Sequence, residues 1–69
     1  MQKGCNSLLT KREFEVLQLV TDGFSNSIIS QKLHISEATT KAHLGHIFEK
    51  LKVQNRIQAV IKALRQEIV

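Results

Sequence analysis

A chain of 69 residues with one cysteine, Cys5, cannot close an internal disulfide, and a domain this small hides only about 60% of its unfolded surface, so a metal or a partner subunit is the remaining source of added stability. No apolar run reaches the roughly 20 residues of a membrane span, no apolar stretch follows Lys3 as a signal peptide requires, and three phenylalanines without Trp or Tyr leave little for stacking on single strands of nucleic acid. Ten basic against six acidic side chains give a net charge of +4, with six of the ten (Lys41, Lys50, Lys52, Arg56, Lys62, Arg65) in the second half; the surplus fits a polyanionic partner, and a lone thiol suits a reducing, cytoplasmic compartment.

Proline is absent and no stretch alternates as a strand does. Residues 1–7 read as a flexible lead and 8–69 as one domain. A first helix, about 11–22, opens at Thr10, which forms a capping box with Glu13. Val16, Leu17, Leu19 and Val20 share one side of it, and Gly23 supplies a left-handed end. Ser25 caps a short second helix, 26–33, with Ile29 and Leu33 on its buried face; it must stop near His34, because Ser36 is the next good cap. The third helix, about 37–51, carries a buried stripe of Thr40, Leu44, Ile47 and Leu51, with Lys50 and Lys52 at its favoured C-terminal end. Asn55 and Gln58 open a fourth helix, about 56–67, as a pair similar to a capping box.

A two-turn helix, a short turn and a longer helix make a helix-turn-helix, which presents its second helix to a major groove. Opposite the buried stripe of that helix lie Ala38, Ala42 and Gly45, flanked by Lys41 and His46, with Thr39, His43 and Lys50 along one shoulder. A strip of small residues lets a helix sit deep in a groove, where alanine methyls meet thymine methyls and shoulder groups meet phosphates. An interior glycine costs roughly 1 kcal/mol against alanine, which is easier to account for if something approaches Gly45 closely.

The segments L-T-K-R-E-F-E-V-L at 9–17, G-F-S-N-S-I-I-S-Q-K-L-H-I-S at 23–36, T-T-K-A-H at 39–43 and K-L-K-V-Q-N-R-I-Q-A-V at 50–60 resemble the LuxR-type DNA-binding domain, also called the GerE or NarL/FixJ type. The resemblance covers residues 9–64. It implies an all-α fold: a four-helix bundle containing a helix-turn-helix without a wing, of the LuxR C-terminal effector kind. It also implies a transcription regulator that binds double-stranded DNA in the bacterial cytoplasm, associated with the nucleoid when bound. Such a domain usually closes a longer protein behind an N-terminal receiver or ligand-sensing domain, and sometimes stands alone. Carried over, Lys41 and Ala42 face base edges, and Ala38 and Gly45 share their strip. Asn26, Thr39 and His43 approach phosphates, with Lys50 as a further phosphate contact.

Four positions depart from the family pattern. Gly45 stands where some relatives carry a base-contacting lysine. Thr40 replaces an aliphatic residue on the buried stripe, where its hydroxyl is expected to bond back to the Ser36 carbonyl. Ile28 replaces a glutamate, which removes a capping box with Ser25. Phe14 replaces a charged residue off the helix-one stripe. Ile28 and Phe14 are both expected as exposed apolar groups.

The fourth helix is apolar over roughly 200°, twice what one buried side needs. Ala59, Val60 and Ala63 form a face suited to the domain itself. Ile57, Ile61, Leu64 and Ile68 form an adjoining face expected to serve a homodimer, as this helix does in the resembled family. Two-fold symmetry predicts an inverted-repeat operator.

No grouping of side chains suggests a nucleophile, so no enzymatic activity is expected, and no cofactor. His43 and His46 lack the further ligands that a metal needs. The rival to DNA binding is a protein-interaction or adaptor module that kept the fold and lost sequence reading; Gly45, Ile28 and Phe14 are compatible with it. The basic second half and the T-T-K-A-H segment favour DNA.

Overall fold

The computed structural model describes residues 9–66. Four helices follow one another: α1 (Lys11–Thr21), α2 (Asn26–Leu33), α3 (Glu37–Leu51) and α4 (Arg56–Arg65), and the described residues contain no strand. The expected lead at 1–7, including Cys5, and Ile68 lie outside the described residues.

Each helix begins on a side-chain cap. Thr10 and Glu13 make the full capping box of α1, with Glu13 N–H donating to Thr10 Oγ1 at 3.1 Å and Thr10 N–H to Glu13 Oε1 at 3.0 Å. Ser25 Oγ accepts from Ile28 N–H at 3.3 Å, and Ser36 Oγ from Thr39 N–H at 3.0 Å. At α4, Asn55 Oδ1 accepts from Gln58 N–H at 2.9 Å, but Gln58 Oε1 takes the N–H of Gln54 at 2.8 Å. The reciprocal half of this box therefore falls one residue before the cap.

Three helices end in the same way. Gly23, His34 and Lys52 adopt positive φ of 95°, 60° and 60°. The N–H after each reaches back to a carbonyl of the preceding turn: Phe24 to Leu19, Ile35 to Ser30 and Val53 to Phe48, at 3.2, 3.0 and 3.0 Å. This is the left-handed closure that glycine favours, yet two of the three ends are built from a histidine and a lysine.

The long helix α3 packs against each of the other three. Its stripe of Thr40, Leu44, Ile47 and Leu51 is buried among Leu9, Val16, Leu17, Val20, Ile29, Ala59 and Ala63. Thr40 is fully buried without an orphaned polar group, because its hydroxyl donates to the Ser36 carbonyl at 3.2 Å. Phe14 departs from expectation: it is half-buried and packs against the core with Leu19, Phe24, Leu33 and Phe48. The ring lies off the α1 stripe, but an aromatic side chain is long enough to fold back over the rim of a small core. Ile28 is exposed, at 38%.

Candidate nucleic-acid interface

The turn between α2 and α3 is His34, Ile35 and Ser36, closed by the left-handed His34 and the Ser36 cap. It fixes α3 so that the stripe at 40, 44, 47 and 51 points inward. The opposite side, with Ala38, Lys41, Ala42 and Gly45, is exposed. A Cβ built on Gly45 meets nothing within 4 Å. Among the described residues, nothing packs there to require glycine at that position.

The shoulder residues differ in how free they are. Thr39 is exposed, and its Oγ1 accepts from Ser36 Oγ at 2.9 Å, which leaves its own O–H to donate outward. His43 is half-buried. Lys50 is half-exposed, and its ammonium donates to Glu13 Oε1 at 2.7 Å. Asn26, the first residue of α2, uses Oδ1 to accept from Arg56 Nη1 at 2.7 Å. That orientation leaves its two amide N–H donors for another partner.

Glu13 is the residue whose second role the sequence did not disclose. The residue is only 4% exposed. It holds the α1 cap and Lys50 of α3 together, with His46 Nδ1 3.9 Å from its other oxygen. Burial pushes the carboxyl pKa up. The Lys50 and Thr10 hydrogen bonds and the nearby Lys50 and His46 charges outweigh that and hold it below the ordinary glutamate value.

The basic surplus is partly structural. Arg56 donates to Asn26 Oδ1 and to the Phe24 carbonyl. Lys62 Nζ donates at 2.7 Å to the Leu51 carbonyl, where α3 ends and a cation is favoured. With Lys50 on Glu13, three of the six basic residues of the second half are engaged inside the fold, while Lys41, Lys52 and Arg65 are exposed.

On α4 the two apolar faces separate as the arc suggested. Ala59 and Ala63 are fully buried, whereas Ile57, Ile61 and Leu64 are 71%, 47% and 59% exposed. The small face is thus the one that packs on the domain.

Residues 7–63 match the GerE family, described as bacterial regulatory proteins of the luxR family. The chain is 50% identical over 58 residues to the transcriptional regulatory protein DegU of Brevibacillus brevis, covering 84% of this chain and 25% of DegU. It is 44% identical over 62 residues to the response regulator protein VraR of Staphylococcus aureus, covering 90% of this chain and 30% of VraR. Among solved structures it is similar to the response regulator ChrA of a heme-sensing two-component system, at 48% identity and a TM-score of 0.84 over 88% of this chain and 30% of that one. It is also similar to the transcription factor GerE, at 41% identity and a TM-score of 0.81 over 88% of this chain and 91% of that one. The chain belongs to the luxR family of bacterial regulatory proteins. It is a DNA-binding helix-turn-helix domain of the kind found in transcription regulators, and not an enzyme. It spans about a quarter to a third of the length of DegU and VraR.

Proposed function

We propose that α3 enters the major groove with Ala38, Lys41, Ala42 and Gly45 toward the base edges, while Asn26, Thr39, His43 and Lys50 dock on phosphates. The observation that carries this reading is the open outer face of α3, where the only long polar side chain among the four is Lys41 and the space over Gly45 is empty. The lysine ammonium suits the O6 and N7 acceptors of guanine, and the alanine methyls suit thymine. Thr39 and Asn26 offer donors that nothing among the described residues uses. Lys50 has its Glu13 bond and two further N–H groups, so a phosphate contact there adds to the internal one.

The domain acts as a homodimer through Ile57, Ile61 and Leu64 of α4, and it reads an inverted repeat. Ile68, outside the described residues, extends the same face in sequence. A row of three exposed branched side chains beside a buried alanine face is the support for this arrangement. In the whole protein the domain is the DNA-binding output of a response regulator, following a receiver or ligand-sensing domain. The fraction of DegU and VraR that it spans supports that placement.

Selection of bound duplexes from a random library at about 100 mM salt, where non-specific phosphate binding is already weakened, tests the reading. An enriched inverted repeat whose half-site changes with Lys41→Ala is the expected result. Salt-sensitive binding with no enriched sequence excludes base reading by α3.

A further inference from the structure

Arg56 occupies an electrostatically poor position. It is the first residue of α4, where the helix dipole disfavours a cation. What holds it there is the other end of its side chain. The guanidinium reaches across 30 residues of sequence to Asn26 Oδ1 at 2.7 Å, and across 32 to the Phe24 carbonyl. Both acceptors flank Ser25, the cap of α2. The fork therefore bridges the start of α4 to the start of α2, and the Asn26 amide is turned so that its oxygen faces inward.

We propose that Arg56 is the positioning residue for phosphate docking at the α2 N-terminus: it locks Asn26 with both amide N–H groups directed away from the guanidinium, available to a backbone phosphate. The inference rests on the DNA-docking reading of Asn26 given above. Two further features favour an anion at this point. The Ser25 side chain and carbonyl satisfy the N–H groups of Ile28 and Ile29, whereas the Asn26 and Ser27 N–H groups belong to the opening turn, where no intrahelical partner exists. A full positive charge also lies beside the dipole of α2, and both favour an anion. Arg56 thus does through Asn26 what a free amide would do with a large loss of rotamer freedom. It also makes the setting of α2 depend on α4, the helix assigned to the dimer.

The test is a double-variant cycle on the 69-residue chain, read as affinity for one pool of random-sequence duplex, with thermal melting recorded for each variant. Lysine at 56 keeps the charge but loses the fork. Arg56→Lys and Asn26→Ala are each expected to weaken binding about tenfold, the scale of a hydrogen bond to a charged group. The double variant is expected to be no weaker than Asn26→Ala alone. If the two losses multiply, Arg56 only staples the helices and the proposal is overturned while docking through Asn26 stands. If Asn26→Ala binds as the parent does, docking through Asn26 is overturned and the positioning role with it. Asn26→Asp is a control that does not threaten the fold, because a carboxylate still accepts from Arg56 and suits a helix N-terminus. It is expected to melt no lower than the parent and to bind weakly; parental affinity in this variant overturns the proposal.

Discussion

Lys50 Nζ lies 2.7 Å from Glu13 Oε1, joining the last turn of α3 to the first turn of α1 across 37 residues of sequence. One partner is almost completely buried and the other half in water, so removing either has a different effect. Lys50→Ala leaves a buried carboxylate with its Thr10 N–H donor and His46 Nδ1 3.9 Å away. A loss of about 2 kcal/mol is expected, below the figure for a fully buried pair because one hydrogen bond survives. Glu13→Gln keeps an acceptor for both Thr10 and Lys50 and removes only the counter-charge of an ammonium that water can reach, so its loss is expected to be about 1 kcal/mol. Urea midpoints at neutral pH decide the order; equal losses would mean that the buried charge is not the source.

The same contact sets a pH dependence. The folded-state pKa of Glu13 lies below its ordinary value, so the stabilisation is fully present above the unfolded pKa, about 4.3, and is lost as pH falls through the folded one. Urea unfolding followed from neutral to strongly acidic pH is expected to show a falling limb that begins as pH drops through the ordinary glutamate value and ends below the folded one. In Glu13→Gln that limb is expected to be shallower. A limb of unchanged depth in the variant would assign it to other carboxylates.

Gly45 separates the needs of the fold from those of the groove. A methyl at this position meets open space in the free domain, and alanine is better than glycine in a helix by roughly 1 kcal/mol. Gly45→Ala is therefore expected to raise the melting temperature by about 4–8 °C. If α3 sits deep in the major groove, the same variant binds its selected operator more weakly. A domain that gains stability and keeps parental affinity would show that nothing approaches Gly45.

His34 and Lys52 test the helix ends. Both are exposed and hold left-handed backbone, a conformation that is uncommon outside glycine. His34→Gly and Lys52→Gly are each expected to stabilise the domain by about 0.5–1 kcal/mol, the relief of strain exceeding the added chain entropy. Gly23→Ala, with φ at 95°, is expected to destabilise by about 1 kcal/mol or more. Chemical denaturation of the three variants checks the signs.

These ends also mark where the sequence stops being informative. The caps at Thr10, Ser25, Ser36 and Asn55 were legible because each depends on a side chain and a backbone group three residues apart. The buried stripe of α3 and its open outer face follow from one periodicity, and the backbone bond of Thr40 from its own chemistry. His34 and Lys52 carry no local sign of left-handed backbone; tertiary closure imposes it. Lys50, Arg56 and Lys62 read as cations available to DNA, since contacts to Glu13, Asn26 and Leu51 join separate helices. A capping glutamate gives no hint that the next layer of structure will bury it. Phe14 misled for a related reason, because its reach over the core is set by side-chain length rather than helix phase.

Ile61 is the sharpest test of the dimer. It stands 47% exposed between Ile57 and Leu64, with fully buried Ala59 and Ala63 on the adjoining face. An aspartate at 61 remains hydrated in the monomer, so Ile61→Asp is expected to melt close to the parent. In a two-fold α4 contact the same change sets two carboxylates against each other in an apolar seam, where an unpaired charge costs several kcal/mol. Sedimentation should then show a folded monomer, with affinity for an inverted-repeat duplex reduced to that for a single half-site. Ala63→Leu serves as the contrast: it forces a larger side chain into a filled site, at an expected loss of about 1–3 kcal/mol. A chain that remains dimeric as Ile61→Asp at high micromolar concentration would place the two-fold contact on another surface.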